Sequence, residues 1–366
     1  MPNPVSERPR FNQVRLLANM VVWSLLLSCV VLFSAGASRA QTTGNWMKAP
    51  VDAKTRATSN IVAVRAVDSG PPDVSAVHSS VVAALPSAAR GKLPTYFPVP
   101  TLRNPQLFGP IAGDATSALR DALNAGDVQV ARGTYLVNGT INFPSNRNLR
   151  CDAGAEFYAS HPATYRGIRM FEFSGTKASS IVGCAFRGSN TSKPLWYDPS
   201  GPYEWDFPIE LTEGASWIVI AYNHFANFFS NTAIMNYTLH GGTTSYNTIV
   251  ANVCAQDTMP AYCIVIDGGN YNLVSGNIGL GSNIGMEPDG LAQTLIGNKI
   301  INNYVGRGVN KDTFIGGAAI RGFDYSTNTV SGNTVDGARI LSPATLPWSD
   351  GGKANMCVNG CSSVKY

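Results

Sequence analysis

A short motif recurs through the second half of the chain: an apolar strand, a small residue, an asparagine, one further residue and then an apolar residue. Its copies occupy residues 180–186, 217–225, 247–253, 272–278, 294–300 and 328–335. The asparagines that mark it are Asn223, Asn252, Asn277, Asn298 and Asn333, separated by 29, 25, 21 and 35 residues. Repeats of about 20–50 residues indicate a stacked array, and repeats made of short strands without helices indicate a β-solenoid.

The recurring asparagine suits a sharp bend between two strands. Asparagine tolerates the left-handed backbone conformation that such bends need. When asparagines stack at one position of successive coils, their amides can also form a hydrogen-bonded ladder. The composition agrees with this interpretation, because only 14% of the residues are charged and there are 36 glycines. Low charge with many turn formers favours short strands and disfavours helical bundles.

One segment ahead of the repeats has the sequence pattern of a helix. Asp114 or Thr116 can cap it, Leu119 and Leu123 form its apolar stripe, and Gly126 ends it. Short strands are predicted directly afterwards, at residues 128–137, 139–143 and 148–151.

The N-terminus has the layout of an export signal. Residues 1–15 are polar and basic, 16–33 are apolar, and small residues end at Ala37 and Ala40. We therefore predict a signal peptide at 1–40, with an uncleaved membrane anchor as the alternative, and no span after cleavage. The expected location is secreted, periplasmic or cell-surface. Beyond it we predict a disordered linker at 41–105, a β domain at 106–345 and a C-terminal tail at 346–366.

Six cysteines remain after the signal peptide, and an even number in an exported chain indicates disulfides. Cys151 and Cys184 fall at similar places in neighbouring coils, whose spacing suits a disulfide. Cys254 and Cys263 could close the loop between them. The third pair, Cys357 and Cys361, could clip the tail.

The opening helix, the strand that ends at residues 132–137, the step at 143–146 and the coils with turn asparagines resemble the pectate-lyase-like superfamily. This superfamily includes polysaccharide lyases, polygalacturonase-type hydrolases, uronan epimerases and phage tailspikes. The resemblance implies an all-β, single-stranded right-handed parallel β-helix with an N-terminal capping helix. It covers residues 105–345 and points to the fold more than to an activity, because one fold serves many functions.

The resemblance also implies where to look for a site. In the family, catalytic groups cluster where one long sheet ends, and here its strands would be 232–236, 262–267, 283–287 and 318–321. Equivalent positions of stacked coils lie about 4.8 Å apart. The residues expected on one patch at the strand ends are Asp267, Glu287, Asp289, Arg321 and Asp324. Carboxylates this close repel each other unless a cation, a shared proton or an arginine offsets them.

A lyase or epimerase acting on a uronate polysaccharide is the first interpretation. Asp267, Glu287 and Asp289 would hold Ca²⁺, which prefers oxygen ligands. Arg321 resembles the arginine base of pectate lyases, and Lys311 is its substitute.

Two alternatives stay open. Paired carboxylates would serve a glycoside hydrolase, at about 5 Å for retention or about 6.5–9.5 Å for inversion. The sequence motifs of polygalacturonases are absent, however. The other alternative is a non-catalytic, glycan-binding or structural β-helix at the cell surface.

Several flanking residues are candidates for substrate binding. The segment 190–208 is rich in aromatic residues that could stack on sugar rings, and a loop after residue 236 could reach the patch. These candidates are Trp196, Tyr203, Trp205, Tyr237 and His240. A nucleic-acid partner is not expected, because residues 1–40 carry three of the four net positive charges. The sequence does not indicate an oligomeric state.

Overall fold

The computed structural model of the protein describes residues 74–85, 87–91, 93, 96–160, 169–188, 207–228, 232–234, 243–255, 262–280, 282–286, 294–306, 314–317, 324–336, 339–341 and 356–357. The predicted signal peptide at 1–40 and the first part of the predicted linker lie outside these residues.

Nearly all described strands belong to three long parallel sheets, and strands are numbered here along the chain. Sheet A contains β1 (Gln106–Phe108), β2 (Val128–Val130), β5 (Asn148–Cys151), β8 (Ser180–Val182), β11 (Val219–Ala221), β14 (Thr248–Val250), β18 (Leu273–Ser275), β22 (Lys299–Ile301), β26 (Thr329–Ser331) and β29 (Met356–Cys357). Sheet B contains β3 (Gly133–Leu136), β6 (Ala155–Tyr158), β9 (Ala185–Arg187), β12 (His224–Ala226), β15 (Val253–Ala255), β19 (Ile278–Leu280), β23 (Tyr304–Gly306) and β27 (Thr334–Asp336).

Sheet C contains β4 (Ile141–Asn142), β7 (Arg169–Ser174), β10 (Phe207–Thr212), β13 (Thr232–Ile234), β16 (Tyr262–Ile266), β20 (Asn283–Met286), β24 (Phe314–Gly317) and β28 (Arg339–Leu341). A smaller sheet D contains β17 (Gly269–Asn270), β21 (Thr294–Ile296) and β25 (Asp324–Ser326).

From β2 onwards the chain visits sheets A, B and C in that order, and each new strand pairs in parallel with the equivalent strand of the preceding turn. Sheet D adds a fourth side to the coils that begin at β14, β18 and β22. A chain that repeats one circuit while pairing only with its previous circuit is a parallel β-helix. The predicted fold class is therefore confirmed.

The interior of the coils is filled by columns of identical or similar apolar side chains. In sheet A the column consists of Leu149, Ile181, Ile220, Ile249, Val274 and Ile300, all fully buried. In sheet B, Phe157, Phe186 and Phe225 stack with ring centroids 5.5 and 5.0 Å apart. These columns explain why the motif keeps an apolar residue at a fixed place in every coil.

The turn asparagines form a hydrogen-bonded ladder between sheets A and B. Its members are Asn223, Asn252, Asn277, Asn303 and Asn333, all buried. Each side-chain amide donates to the Oδ1 of the next member at 2.9–3.1 Å. A second ladder precedes sheet A and contains Asn247, Asn272, Asn298 and Asn328.

Asn298 was predicted for the first ladder, and this assignment is wrong. Lys299 pairs with Leu273 in sheet A, so Asn298 lies beside Asn272, and Asn303 takes the expected position. Asn298 and Asn303 are only five residues apart, and each is followed within three residues by two apolar residues. Sequence spacing alone therefore could not separate the two ladders.

The predicted helix is present as α3 (Thr116–Ala125), which buries Leu119 and Leu123 in the core beside β1 and β4. Asp114 accepts a hydrogen bond from the Thr116 backbone at 2.9 Å, and the Gly126 N–H donates to Ala122 at the other end. Its role as a cap of the coils stays a prediction. None of the helices in the described residues is long and apolar enough to cross a membrane.

Part of the predicted disordered linker is ordered. It contains α1 (Val74–Ala84) and α2 (Ser87–Arg90). Val81 and Leu85 pack on Val253, Ile278 and Tyr304, which lie on the outer surface of sheet B. The sequence did not reveal this, because the apolar partners lie some 170 residues or more further along the chain.

Two of the three predicted disulfides are present. Cys151 is bonded to Cys184, and Cys254 is bonded to Cys263. The pairing of Cys357 with Cys361 stays a prediction, because Cys361 lies outside the described residues. Two structural disulfides are typical of a chain that folds in an oxidising compartment.

Candidate functional site

The C-terminal edge of sheet C carries the first candidate residue. Asp267 directly follows β16 and is half-buried. The chain then turns into sheet D at Gly269, whose φ of +107° and close approach to Thr244 leave no space for a side chain; a Cβ there would lie 2.1 Å from the Thr244 carbonyl oxygen. Gly269 is therefore needed by the turn.

The register of sheet C decides what stands beside Asp267. Ile234 pairs with Ile266, and Ile266 pairs with Met286. Asp267 and Glu287 follow these last two residues in the sequence, so they are the next pair if the register continues. Neighbouring parallel strands lie about 4.8 Å apart. Glu287 itself lies outside the described residues, as does Asp289.

The next coil differs from the sequence-based assignment. Its strand in sheet C is β24, which begins at Phe314, and Gly317 pairs with Met286. The strand predicted at 318–321, with Arg321 at its end, lies outside the described residues. Two short apolar runs, 314–315 and 318–320, compete for this place in the sequence. The structure selects the first, which brings Ile315 into register with the core residue Ile284.

Asp324 begins β25 and pairs with Thr294 in sheet D. Gly269 pairs with Leu295 in the same sheet, so the register of Asp324 continues to Gly268, the residue after Asp267. That Asp324 shares a patch with Asp267 stays a prediction.

The remaining predicted residues lie outside the described part of the chain. They are Trp196, Tyr203, Trp205, Tyr237, His240, Lys311 and Arg321. Among the described residues, no group of three or more His, Cys, Asp or Glu side chains could hold a metal ion. Two of the three residues predicted to bind Ca²⁺ are not described, so calcium binding stays a prediction.

A second acidic group lies on the outer surface of sheet C, and the sequence did not predict it as a pair. Glu210 pairs in register with Glu172, and both alternate with core residues in their strands. The flanking residues Phe171, Phe173, Ile209 and Leu211 are all fully buried. An apolar-Glu-apolar pattern in two successive coils is the signal that could have revealed the pair.

Glu210 is unusual because it is buried although it points away from the core. Its side chain has no exposed surface. Arg169 Nε lies 2.8 Å from Oε2, but neither oxygen accepts a well-directed hydrogen bond from the described residues. Burial raises the pKa of Glu210 to about 7; Arg169 opposes the rise, and Glu172 and Glu213 add to it. A carboxyl group that stays protonated near neutral pH can serve as a general acid.

Replacing Glu210 by glutamine is expected to remove a pH dependence of stability. Between pH 4.5 and about 7 the unfolded chain loses the Glu210 proton while the folded protein retains it. Stability therefore falls as the pH rises through this window, by a few kcal/mol at most. The difference in unfolding free energy between variant and wild type, measured with urea, should therefore shift in favour of the variant when the pH is raised from 5 to 8.

The comparison must be made between variant and wild type at each pH. Burial lowers the pKa of His224 to about 4, which makes stability rise with pH between 4 and 6.5 and opposes the effect of Glu210. Both proteins contain His224, so its contribution cancels. An unchanged difference between pH 5 and pH 8 would show that Glu210 titrates normally.

No family model matches the chain, and no curated protein matches it. Solved structures similar to it include the polygalacturonase of Erwinia carotovora ssp. carotovora, with 12% identity and a TM-score of 0.44, covering 75% of this chain and 98% of that one. Another is the endo-xylogalacturonan hydrolase of Aspergillus tubingensis, with 12% identity and a TM-score of 0.32, covering 70% and 100%. A third is the A-module of the Azotobacter vinelandii mannuronan C-5 epimerase AlgE4, with 12% identity and a TM-score of 0.32, covering 69% and 86%. Likeness at this level concerns the fold alone.

Proposed function

We propose that the protein is an exported enzyme that modifies an acidic, uronate-containing polysaccharide, as a lyase or an epimerase, at the C-terminal edge of sheet C. The observation that supports this proposal is the register of β16 and β20, in which Ile266 pairs with Met286. Asp267 and Glu287 directly follow these two residues in the sequence, so acidic residues come after two paired strands at the same end of sheet C. They suit either a cation that binds a uronate carboxylate or a proton transfer at the sugar.

The chemistry requires a base and a way to neutralise the substrate carboxylate. In elimination, a base takes the C5 proton, a C4–C5 double bond forms, and the C4–O bond breaks with a proton delivered to the leaving oxygen. In epimerisation, the proton returns to C5 from the opposite face. Arg321 remains the proposed base, because it follows β24 by four residues in the connection that leaves the same sheet edge. Lys311 precedes β24 by three residues and is the substitute.

A glycoside hydrolase is the second candidate, and the pair of Glu172 and Glu210 favours it. A protonated Glu210 beside a second carboxylate one coil away provides an acid and a nucleophile. Adjacent coils give a separation of about 4.8 Å, close to the spacing of retaining enzymes. Because Glu210 is fully buried, this mechanism also requires that the residues that cover it on the outer surface of sheet C move aside.

Incubation of the protein with polygalacturonate and with alginate separates these candidates. A lyase produces new ultraviolet absorbance from the conjugated double bond, a hydrolase produces reducing ends without that absorbance, and an epimerase incorporates solvent deuterium at C5 without cleavage. Repeating the assay with a chelator tests the Ca²⁺ prediction, since loss of activity that added Ca²⁺ restores supports it. Absence of all three signals on both polymers would refute an enzymatic role on these uronates.

A further inference from the structure

Three aromatic side chains stack on each other at the corner where the chain passes from the side of sheet D into sheet A. The ring centroids of Trp217 and Tyr246 lie 4.8 Å apart, with planes inclined by 8°. Those of Tyr246 and Tyr271 lie 5.3 Å apart, with planes inclined by 9°. We call these three residues the aromatic ladder. They belong to successive coils, so the ladder runs along the axis of the β-helix.

The aromatic ladder is exposed. Trp217, Tyr246 and Tyr271 retain 60%, 46% and 50% of their accessible surface. Even Tyr246, which has a ring on both sides, leaves almost half of its surface open to a ligand. Large exposed aromatic groups are costly to leave in water, and they gather at binding surfaces.

The backbone does not require aromatic residues at this corner. All three have positive φ angles, between 57° and 62°, a conformation that non-glycine residues adopt reluctantly. The equivalent position in neighbouring coils is filled by Ala178 and Gly297, with φ of 53° and 67°. Smaller residues therefore meet the demands of the turn, and the rings need another explanation.

A shallow groove of about 490 Å³ lies along the aromatic ladder. A second column follows its length, formed by Ser216, Ser245 and Asn270, which are joined by parallel bridges. Lys177 lines one end of the groove and is the one charged side chain among the described residues that line it. Each coil thus offers one ring, and the partly exposed Ser216 and Asn270 add a hydroxyl and an amide group on either side of the buried Ser245, with a cation at the end.

We propose that this groove binds a chain of an acidic polysaccharide that runs parallel to the helix axis. Aromatic rings repeated about every 4.8 Å, with polar groups beside them, match a linear ligand whose apolar and hydroxyl surfaces also repeat. Lys177 can pair with a carboxylate of that ligand. A single cation is too little for a nucleic-acid backbone, which is bound by several.

The groove adjoins the proposed active site, and this inference rests on the proposed function for the choice of a uronate polymer. Asn270, which lines the groove, follows Asp267 by three residues. Gly214, which also lines it, follows Glu213, the residue directly after β10 of sheet C. A polymer held by the aromatic ladder would therefore be delivered beside the C-terminal edge of sheet C. The aromatic ladder would set the direction and the minimum length of the substrate.

Binding measurements on the full chain test the proposal. We expect Trp217→Ala and Tyr246→Ala to weaken the binding of hexamers of galacturonate or mannuronate about tenfold, measured by titration calorimetry. The control is Tyr96→Ala, which removes an aromatic side chain that is 71% exposed and distant in sequence. Thermal unfolding of each variant shows whether it is folded under the conditions of the titration.

A charge variant tests the acidic character of the ligand. Lys177→Gln should weaken binding of these hexamers severalfold, whereas Lys299→Gln, at an exposed position of sheet A, should not. A neutral glucan hexamer should bind at least about tenfold more weakly than the better uronate. Equal binding of the glucan would overturn the proposal, as would failure of the wild type to bind either uronate.

The measurements are made in the Glu287→Gln background, so that binding is observed without turnover. If the aromatic variants lose binding while the wild type cleaves nothing, the inference stands and the enzymatic proposal fails. If the wild type cleaves a uronate polymer while the aromatic variants bind it unchanged, the inference fails and the enzymatic proposal stands.

Discussion

Replacing Asn252 by alanine is expected to lower the free energy of unfolding by about 4 kcal/mol. The Asn252 side chain makes four hydrogen bonds in a fully buried position. Its Oδ1 accepts from the backbone and side-chain N–H groups of Asn223 at 2.9 and 3.1 Å. Its amide donates to the Ile220 carbonyl at 3.0 Å and to Asn277 Oδ1 at 2.9 Å. Each such bond contributes about 1 kcal/mol, and the partners left behind would be buried and unsatisfied.

The effect should be large because the lost groups cannot reach water. The Asn223 N–H lies in the turn between sheets A and B and the Ile220 carbonyl lies in β11, and neighbouring coils cover both sides of each. An exposed position in an earlier coil provides the control. Asn142 in β4 is exposed, and Asn142→Ala should change the stability by less than about 0.5 kcal/mol.

Chemical unfolding followed by far-ultraviolet circular dichroism measures both variants. Solenoids are stabilised by contacts between neighbouring coils, so the loss at Asn252 should also increase hydrogen exchange in β11, β14 and β18 before global unfolding. If Asn252→Ala is no less stable than Asn142→Ala, the ladder does not stabilise the fold.

Replacing Asp267 by asparagine, or Glu287 by glutamine, is expected to reduce kcat/KM on the uronate polymer by at least about 100-fold. Both substitutions preserve the shape of the side chain and remove its charge. A group that transfers a proton or neutralises the substrate in the transition state contributes about 100- to 10,000-fold. Because the two residues would act as a unit, the double variant should be little worse than the more damaged single variant.

Asp121→Asn is the matched control, since Asp121 is exposed on α3 and far along the chain from the end of sheet C. It should leave kcat/KM unchanged. Full activity of both the Asp267 and the Glu287 variants, with the fold intact, would remove the site from this edge. The pair of Glu172 and Glu210 would then become the leading candidate, and Glu210→Gln would be the next variant to assay.

The sequence was sufficient to predict the β-helix because stacking imposes the same demands on every coil. A buried turn must satisfy its backbone groups, and asparagine does so with one side chain, as at Asn252 and Asn277. The disulfide between Cys151 and Cys184 followed from the spacing of the coils, and that between Cys254 and Cys263 from their closeness in the sequence.

Sequence reasoning was less successful where a coil offers two equivalent choices. Asn298 and Asn303 both fit the turn motif, and residues 314–317 and 318–321 both fit a strand. Only the pairing with the preceding coil selects one of them, and pairing is a long-range contact that spacing does not encode. This ambiguity explains why the strand of that coil in sheet C was predicted at 318–321 while the structure has β24 at Phe314–Gly317.

The burial of Glu210 could not be predicted for a different reason. A glutamate between two core residues is normally solvent-exposed on the outer surface of a sheet. Its burial depends on what covers that surface, which the sequence of the strand does not show. The same holds for Val81 of α1, which is buried because it packs on sheet B.

The central claim is that the winding of the chain makes Asp267 and Glu287 neighbours. Its most direct test is to replace both by cysteine and treat the folded protein with dibromobimane, which bridges thiols only a few ångströms apart. Peptide mapping by mass spectrometry should find residues 267 and 287 linked, as efficiently as a Lys299→Cys, Thr329→Cys pair, which lies in register in sheet A. If the sheet A pair is bridged while positions 267 and 287 react separately, the two carboxylates do not share a site.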